Sequence, residues 1–357
     1  IIDYVDARYN RVEGFYFGGK YEREFSNNLF SMRGNFGYGI SNSKINVGFG
    51  GTMFIDSAKK WFSGGDVYQR TNNFFDEQYY GTFIVSLGAL LAKKDYRDYF
   101  FEKGYNIFIG YKPLPSFQTL IHYKSADEFS QKKNSDFSIL YPTEKFRINP
   151  SIQEGMLRSV ELETHFGRKE ATLGFITNDE LQISLEHSSQ KLLNSDFTYT
   201  RWFISGNYSF STFLGELLFP PSLRLHLSSG EINGNAPLQK MFSIDTRFSG
   251  FAPFGVLKTT NPRMFIGNKF LLFSLEHNFR SVPFLLMGMN SLHKKSIELI
   301  TTFSIAQTWN GNVSTSRGWY YEAGISISRI LELFRIDFSE RLTKPEIFTI
   351  TVGVASF

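Results

Sequence analysis

The sequence predicts an all-β protein, a transmembrane antiparallel β-barrel of about 16 strands, with 14 as the even-numbered alternative. Three observations predict it. Segments with a period of two recur through most of the 357 residues, many of them roughly ten residues or more, which crosses a bilayer's hydrocarbon layer at a tilt of about 45°. The apolar side of the alternation is aromatic: 17% of the chain is Phe, Tyr or Trp, yet hydrophobic residues total only 42% and the mean hydropathy is -0.21. The other side carries Gly, Ser, Asn and charge, which suits a water-filled interior better than a second packed sheet. At roughly 22 residues per strand and connection, the length corresponds to about 16 strands.

Arg8 to Ile55 reads as three strands joined by very short turns. In the first, Phe15, Phe17 and Tyr21 alternate with Tyr16, Lys20, Glu22 and Glu24; in the second, Phe30, Met32, Phe36 and Tyr38 alternate with Ser31, Arg33, Asn35 and Gly37. The third sets Ile45, Val47, Phe49 and Met53 against Asn46, Gly48, Gly50 and Thr52. Between them, Phe25-Ser26-Asn27-Asn28 and Ser41-Asn42-Ser43-Lys44 are turn chemistry, because Asn and Ser hydrogen-bond their own backbone. From Asp56 to Tyr80 the alternation lapses and a long outer loop is expected, while Gly81 to Lys93 fits either a strand or a short helix.

Alternation returns at Tyr105 to Tyr111 and Phe117 to Tyr123, and Ala126 to Gln153 is polar enough for a second outer loop. Val160 to Phe166 opposes Glu161, Glu163 and His165, groups that belong in a lumen and not in lipid. Strands follow around Ala171 to Phe175, Leu181 to Leu185, Trp202 to Tyr208 and Leu223 to Leu227. Phe248 to Asn268 has no strand period; with Phe251-Ala252-Pro253-Phe254-Gly255 and Asn261-Pro262-Arg263 it reads as an ordered loop folding inward. Leu271 to Phe279, Ile297 to Ile305, Tyr321 to Ile327, Phe334 to Phe338 and Phe348 to Val354 complete the series, ending at Phe357.

The candidate site residues line this lumen or its closing seam. Arg8, Arg11 and Glu13 form a charged cluster expected at the periplasmic mouth, where pairing would order the first strand. Glu276, Asn278 and Arg280 share the lumenal face and are expected to meet the inward loop near Phe254 and Arg263. Lys20, Glu22, Arg33, Glu161 and Glu163 would line a pore. The six histidines lack ligand spacing, so neither a metal nor another cofactor is expected. No nucleophile elbow or paired Asp-His motif is present, so no enzyme activity is expected either.

Composition narrows the partners. There are no cysteines, and the formal net charge of +4 is small for the length, so nucleic acid is not an implied partner. The longest apolar run, Ile84 to Ala92, is far short of the roughly 20 residues of a transmembrane helix. A chain beginning at Ile1 is expected to be the barrel domain, residues 1–357, of a longer product with periplasmic domains ahead of it.

Arg8-Tyr9-Asn10-Arg11-Val12-Glu13-Gly14 followed by a strand and a Gly-rich hairpin, with Pro253-Phe254-Gly255 and Leu275-Glu276-His277-Asn278-Phe279-Arg280, resembles the barrels of the BamA/TamA-like superfamily. Within it, the chain resembles most a Bacteroidota family that carries an N-terminal carboxypeptidase-regulatory-like domain. The clear Arg-Gly-Phe motif of the insertase branch's lumenal loop is missing. The resemblance implies the bacterial outer membrane, contact with its lipids and with other outer-membrane or periplasmic proteins, and a role in outer-membrane protein or lipoprotein biogenesis, alone or as an accessory subunit. It also implies a weak seam between the first and last strands, here Val12 to Glu24 against Glu346 to Phe357. A solute channel and a scaffold for surface lipoproteins are the alternatives.

Overall fold

The computed structural model describes residues 4–25, 29–75, 79–172, 175–214, 219–311, 313–316 and 318–355. Phe357, Leu173 and the turn expected at 26–28 lie outside them. Sixteen wall strands run in chain order: β1 Val5–Asn10, β2 Gly14–Phe25, β3 Phe30–Gly39, β4 Lys44–Phe54, β5 Trp61–Asn73, β6 Tyr99–Leu114, β7 Phe117–Ser130 and β8 Gly155–Thr172. They continue as β9 Phe175–Ser188, β10 Thr198–Ser211, β11 Ser222–Asn235, β12 Lys269–Asn278, β13 Glu298–Asn310, β14 Tyr320–Ile330, β15 Phe334–Arg341 and β16 Ile347–Val354. Each pairs antiparallel with the next.

Burial along the strands is inverted relative to a water-soluble sandwich. Phe17, Phe36, Phe49, Ile107 and Ile350 are exposed, whereas Glu102, Glu186, Glu322 and Asp337 are buried. Charge faces inward and aromatic surface outward, which is the arrangement a hydrocarbon surround selects. With an even strand number, both chain ends lie at one rim of the wall. The three longest connections, 74–98, 131–154 and 236–268, lie at the other rim.

The segment 236–268 turns inward, as the sequence predicts, and a short pairing of Phe242–Ser243 with Ile266–Gly267 closes its base. Gln239 reaches Glu128 on β7 at 2.7 Å, Lys240 reaches Glu186 on β9 at 2.8 Å and Lys258 reaches Asp337 on β15 at 2.8 Å. One segment can touch β7, β9 and β15 together only if the sheet wraps around it. The wall is therefore a barrel whose lumen holds this segment.

Four expectations change. The lapse at Asp56 to Tyr80 hides β5, whose outer face is marked only by Trp61 and Val67, with Ser63 and Gly65 between them erasing the apolar period. Gly81 to Lys93 resolves into helix α1, Thr82–Ala92, whose buried Val85 and Ala89 stand four residues apart. The second outer loop begins only after Ser130, because β7 continues through Ala126. Finally, a strand precedes the first one expected: β1 pairs Val5 with Gly19 and Asn10 with Gly14. The seam thus faces β1, not Val12 to Glu24. It is also where the wall is shortest, with six residues in β1 and eight each in β15 and β16, against 18 in β8.

Candidate functional site

Among the described residues no ladder joins β1 to β16. Their outward backbone groups find other partners. The Tyr9 amide of β1 donates to Ser86 Oγ of α1 at 3.2 Å. The Val352 amide of β16 donates to the Gly250 carbonyl at 2.7 Å, and the Ala252 amide donates back to the Val352 carbonyl at 3.0 Å. The register explains why Val352 is free to do so: it stands opposite Ile336 of β15, and its backbone groups point to the far side.

Beside the seam, the inward segment is fastened by buried charge. Lys258 Nζ lies 2.8 Å from Asp337 and 3.4 Å from Glu276. Arg335 spans the same two carboxylates, forking onto Glu276 at 2.8 and 2.5 Å and donating to Asp337 at 2.7 Å. A third carboxylate, Glu322 on β14, accepts the Lys258 and Thr259 amides at 2.8 and 3.0 Å and the Tyr320 hydroxyl at 2.8 Å. Two cations and three carboxylates, all buried, hold together because every charge has ionic or charge-assisted partners. Three wall strands after the segment, β12, β14 and β15, supply the anchors.

A second node ties the outer connections together. Asp98, buried just before β6, accepts from Arg11 in the β1–β2 turn at 2.5 Å, from Arg263 in segment 236–268 at 3.0 Å, and from Arg147 in connection 131–154. Arg11 also meets Asp95 at 3.0 Å. Burial by itself would raise the Asp98 pKa, but the guanidinium groups of Arg147, Arg263 and Arg11 outweigh it and hold the carboxyl below the usual range.

The predicted site residues divide among these places. Arg8 and Glu13 do pair, through two bonds of 2.8 Å, while Arg11 points away into the Asp98 node. All three sit at the far end of β1, toward the rim opposite the chain ends. Arg263 joins Asp98 and not Glu276. Glu276 does meet the inward segment, but at Lys258 instead of Phe254 or Arg263; Phe254 meets His226 edge-on, with the Arg224 guanidinium over its ring. Asn278 and Arg280 turn to Glu298 at 2.8 and 2.7 Å. Arg33 forks onto Asp66 with two bonds of 2.8 Å. With Lys20 and Glu22 it lines a cavity of about 670 Å³. Glu163 takes His165 at 2.8 Å and Gln182 at 3.0 Å, and Glu161 stands opposite Glu186.

Sequence reasoning passed over Asp98, Lys258, Glu322, Arg335 and Asp337. Arg335 and Asp337 carried a readable signal, two opposite charges on the inward face of one strand. Lys258 and Asp98 carried none, since each lies in a connection without period.

No family model matches the chain, and no curated protein matches it either. Solved structures do. The crystal structure of BamA from Haemophilus ducreyi lacking POTRA domains 1-3 superimposes with a TM-score of 0.58 at 10% identity, over 97% of this chain and 68% of that one. CdiB from Acinetobacter baumannii gives 0.42 at 11% identity, over 98% of this chain and 58% of that one. The chain is a transmembrane β-barrel, and its fold is that of the BamA barrel.

Proposed function

We propose that this chain is an outer-membrane barrel that inserts or secretes proteins, acting through the seam between β1 and β16. The observation that carries the reading is the absence, among the described residues, of any β1–β16 ladder, in a wall whose other fifteen strand junctions are continuous. An unpaired strand edge is a template for another chain. The shortness of β1, β15 and β16 supports the same reading, because short strands give up few bonds when they part. A passive solute channel is disfavoured by segment 236–268, which occupies the lumen beside β7, β9 and β15. Within this proposal the chain belongs to the Bacteroidota branch with a regulatory-like domain ahead of the barrel, works with outer-membrane lipids and envelope proteins, and needs no catalytic residue.

The test is cysteine trapping in the naturally cysteine-free chain, with Ala7 on β1 and the likewise outward-facing Phe348 or Ile350 on β16 replaced in pairs, alongside recovery of whatever else crosslinks. Poor internal pairing with capture of nascent barrel proteins supports the proposal. Complete internal pairing in one register with nothing captured overturns it.

A further inference from the structure

Neither free edge of the seam is left bare. Each is occupied by a piece of the chain's own interior, and the two pieces are packed on each other. On β16, residues 250–252 lie alongside in parallel, with Phe251 bridged to Val352. On β1, Tyr9 ends on Ser86 of α1. The Phe248 ring lies 5.5 Å from the Tyr80 ring and 5.6 Å from the Tyr96 ring. It fills the space where a Cβ on Gly88 would stand, so α1 approaches this closely only because position 88 has no side chain. Val85 of α1, Ala252 and Val256 share one apolar cluster, against which Val354 of β16 packs. The Tyr80 hydroxyl completes the joint, donating to the Thr246 and Phe251 carbonyls at 2.9 and 3.2 Å.

The backbone hydrogen bonds at the two edges themselves are few. Two backbone bonds hold residues 250–252 to β16 and one hydrogen bond holds Tyr9 to Ser86, each worth about 0.5–1.5 kcal/mol net. At 11 residues, α1 is too short to be helical by itself. It leaves Phe83 and Leu87 exposed. A unit that coheres internally and holds each of the two edges by so few bonds can part from both edges together. That residues 250–252 already lie extended along β16 also shows what the edge accepts, a polypeptide backbone in strand conformation.

We infer that α1 and residues 246–257 form a two-part latch in the seam, which keeps β1 and β16 apart and leaves as a unit when the β16 edge takes up an extended polypeptide strand. The inference rests on the proposed role of the seam.

The experiment uses the full chain in lipid vesicles. In one variant, Phe251→Cys with Val352→Cys, oxidation pins the latch and reductant frees it within the same folded protein. In a second, Phe248→Ala removes the ring that joins the two halves, and its folding is checked by heat-modifiable gel mobility. Amide hydrogen exchange over 347–355 reports the edge. A synthetic copy of residues 246–257, with a photo-crosslinker in place of Phe251, is the added strand. Exchange is expected to rise about tenfold or more in Phe248→Ala, the factor that about 1.4 kcal/mol represents, and peptide capture to rise with it. Oxidised Phe251→Cys/Val352→Cys should lose capture and regain it on reduction. Unchanged exchange in folded Phe248→Ala, or equal capture by oxidised and reduced protein, overturns the latch. Exchange that responds as expected without peptide capture in any form leaves the latch as a closure and overturns the strand-accepting seam instead.

Discussion

Lys258 and Asp337 meet at 2.8 Å inside the barrel, joining the inward segment to β15, and both are fully or almost fully buried. Together with Arg335, this cation holds two carboxylates, Asp337 and Glu276, in a place that water does not hydrate freely. Replacing Lys258 by Met keeps the stem and removes the charge, leaving Arg335 alone against both acids. Loss of one partner from a buried pair costs about 3–5 kcal/mol. The barrel wall keeps its ladders, so the cost should appear as release of segment 236–268. Limited proteolysis between Phe248 and Asn268 is expected to speed up sharply while heat-modifiable mobility persists. A Lys258→Met protein as resistant as wild type would show that the salt-bridged node is not what holds the segment.

The Asp98 node predicts a pH dependence of definite sign. Its folded pKa lies below the unfolded one, so its contribution is fully present above the ordinary carboxylate pKa and is lost as pH falls through the depressed value. The outer connections should therefore stay locked at neutral pH and open only in strong acid. Asp98→Asn should remove that acid transition and leave Arg11, Arg147 and Arg263 without their shared carboxylate at every pH. Protease susceptibility of connection 131–154, followed against pH in both proteins, checks this. An unchanged transition in Asp98→Asn would move the effect to another acid.

Much of the architecture was legible because lipid writes a strong pattern. Phe15 and Phe17 outward with Tyr16 inward is a two-residue rhythm that survives any uncertainty about neighbours, and the chain length at roughly 22 residues per strand and connection gives the strand number. The rhythm failed where the wall uses small residues, as at Ser63 and Gly65 in β5, and where a strand is too short to establish a period, as in β1. The candidate site was harder to read for a different reason. Glu276 could be assigned to the lumen from alternation, yet its partner Lys258 comes from a connection whose path no periodicity records, and Arg263, which shares that connection, goes to Asp98 across the lumen. Tertiary folding of 236–268, not local pattern, pairs these charges.

Not every well-formed ion pair should matter equally. Arg33 and Asp66 have ideal forked geometry, but their side chains are 37% and 27% exposed at the cavity they line with Lys20. Solvent screening limits such a pair to about 1 kcal/mol or less. Arg33→Gln is thus expected to shift the temperature of the heat-modifiable transition only slightly, whereas Arg335→Gln, at a buried site, should lower it markedly. Equal shifts would contradict the ranking by burial.

Close packing on the inner face gives the last prediction. Tyr16 is buried on β2 with Arg8 stacked 3.6 Å above its ring, and the ring's far end lies against Gly37 of β3. A Cβ at position 37 would fall on the Tyr16 hydroxyl and ring carbons, which must then shift. Gly37→Ala should cost about 1–3 kcal/mol as overpacking. If the clash is the cause, Gly37→Ala should cost far less in a Tyr16→Ala background than in the wild type, since the ring that the methyl meets is gone. The heat-modifiable transition of the four proteins forms a double-mutant cycle. A coupling near zero would mean that Gly37 serves the β2–β3 backbone itself and not the seat of Tyr16.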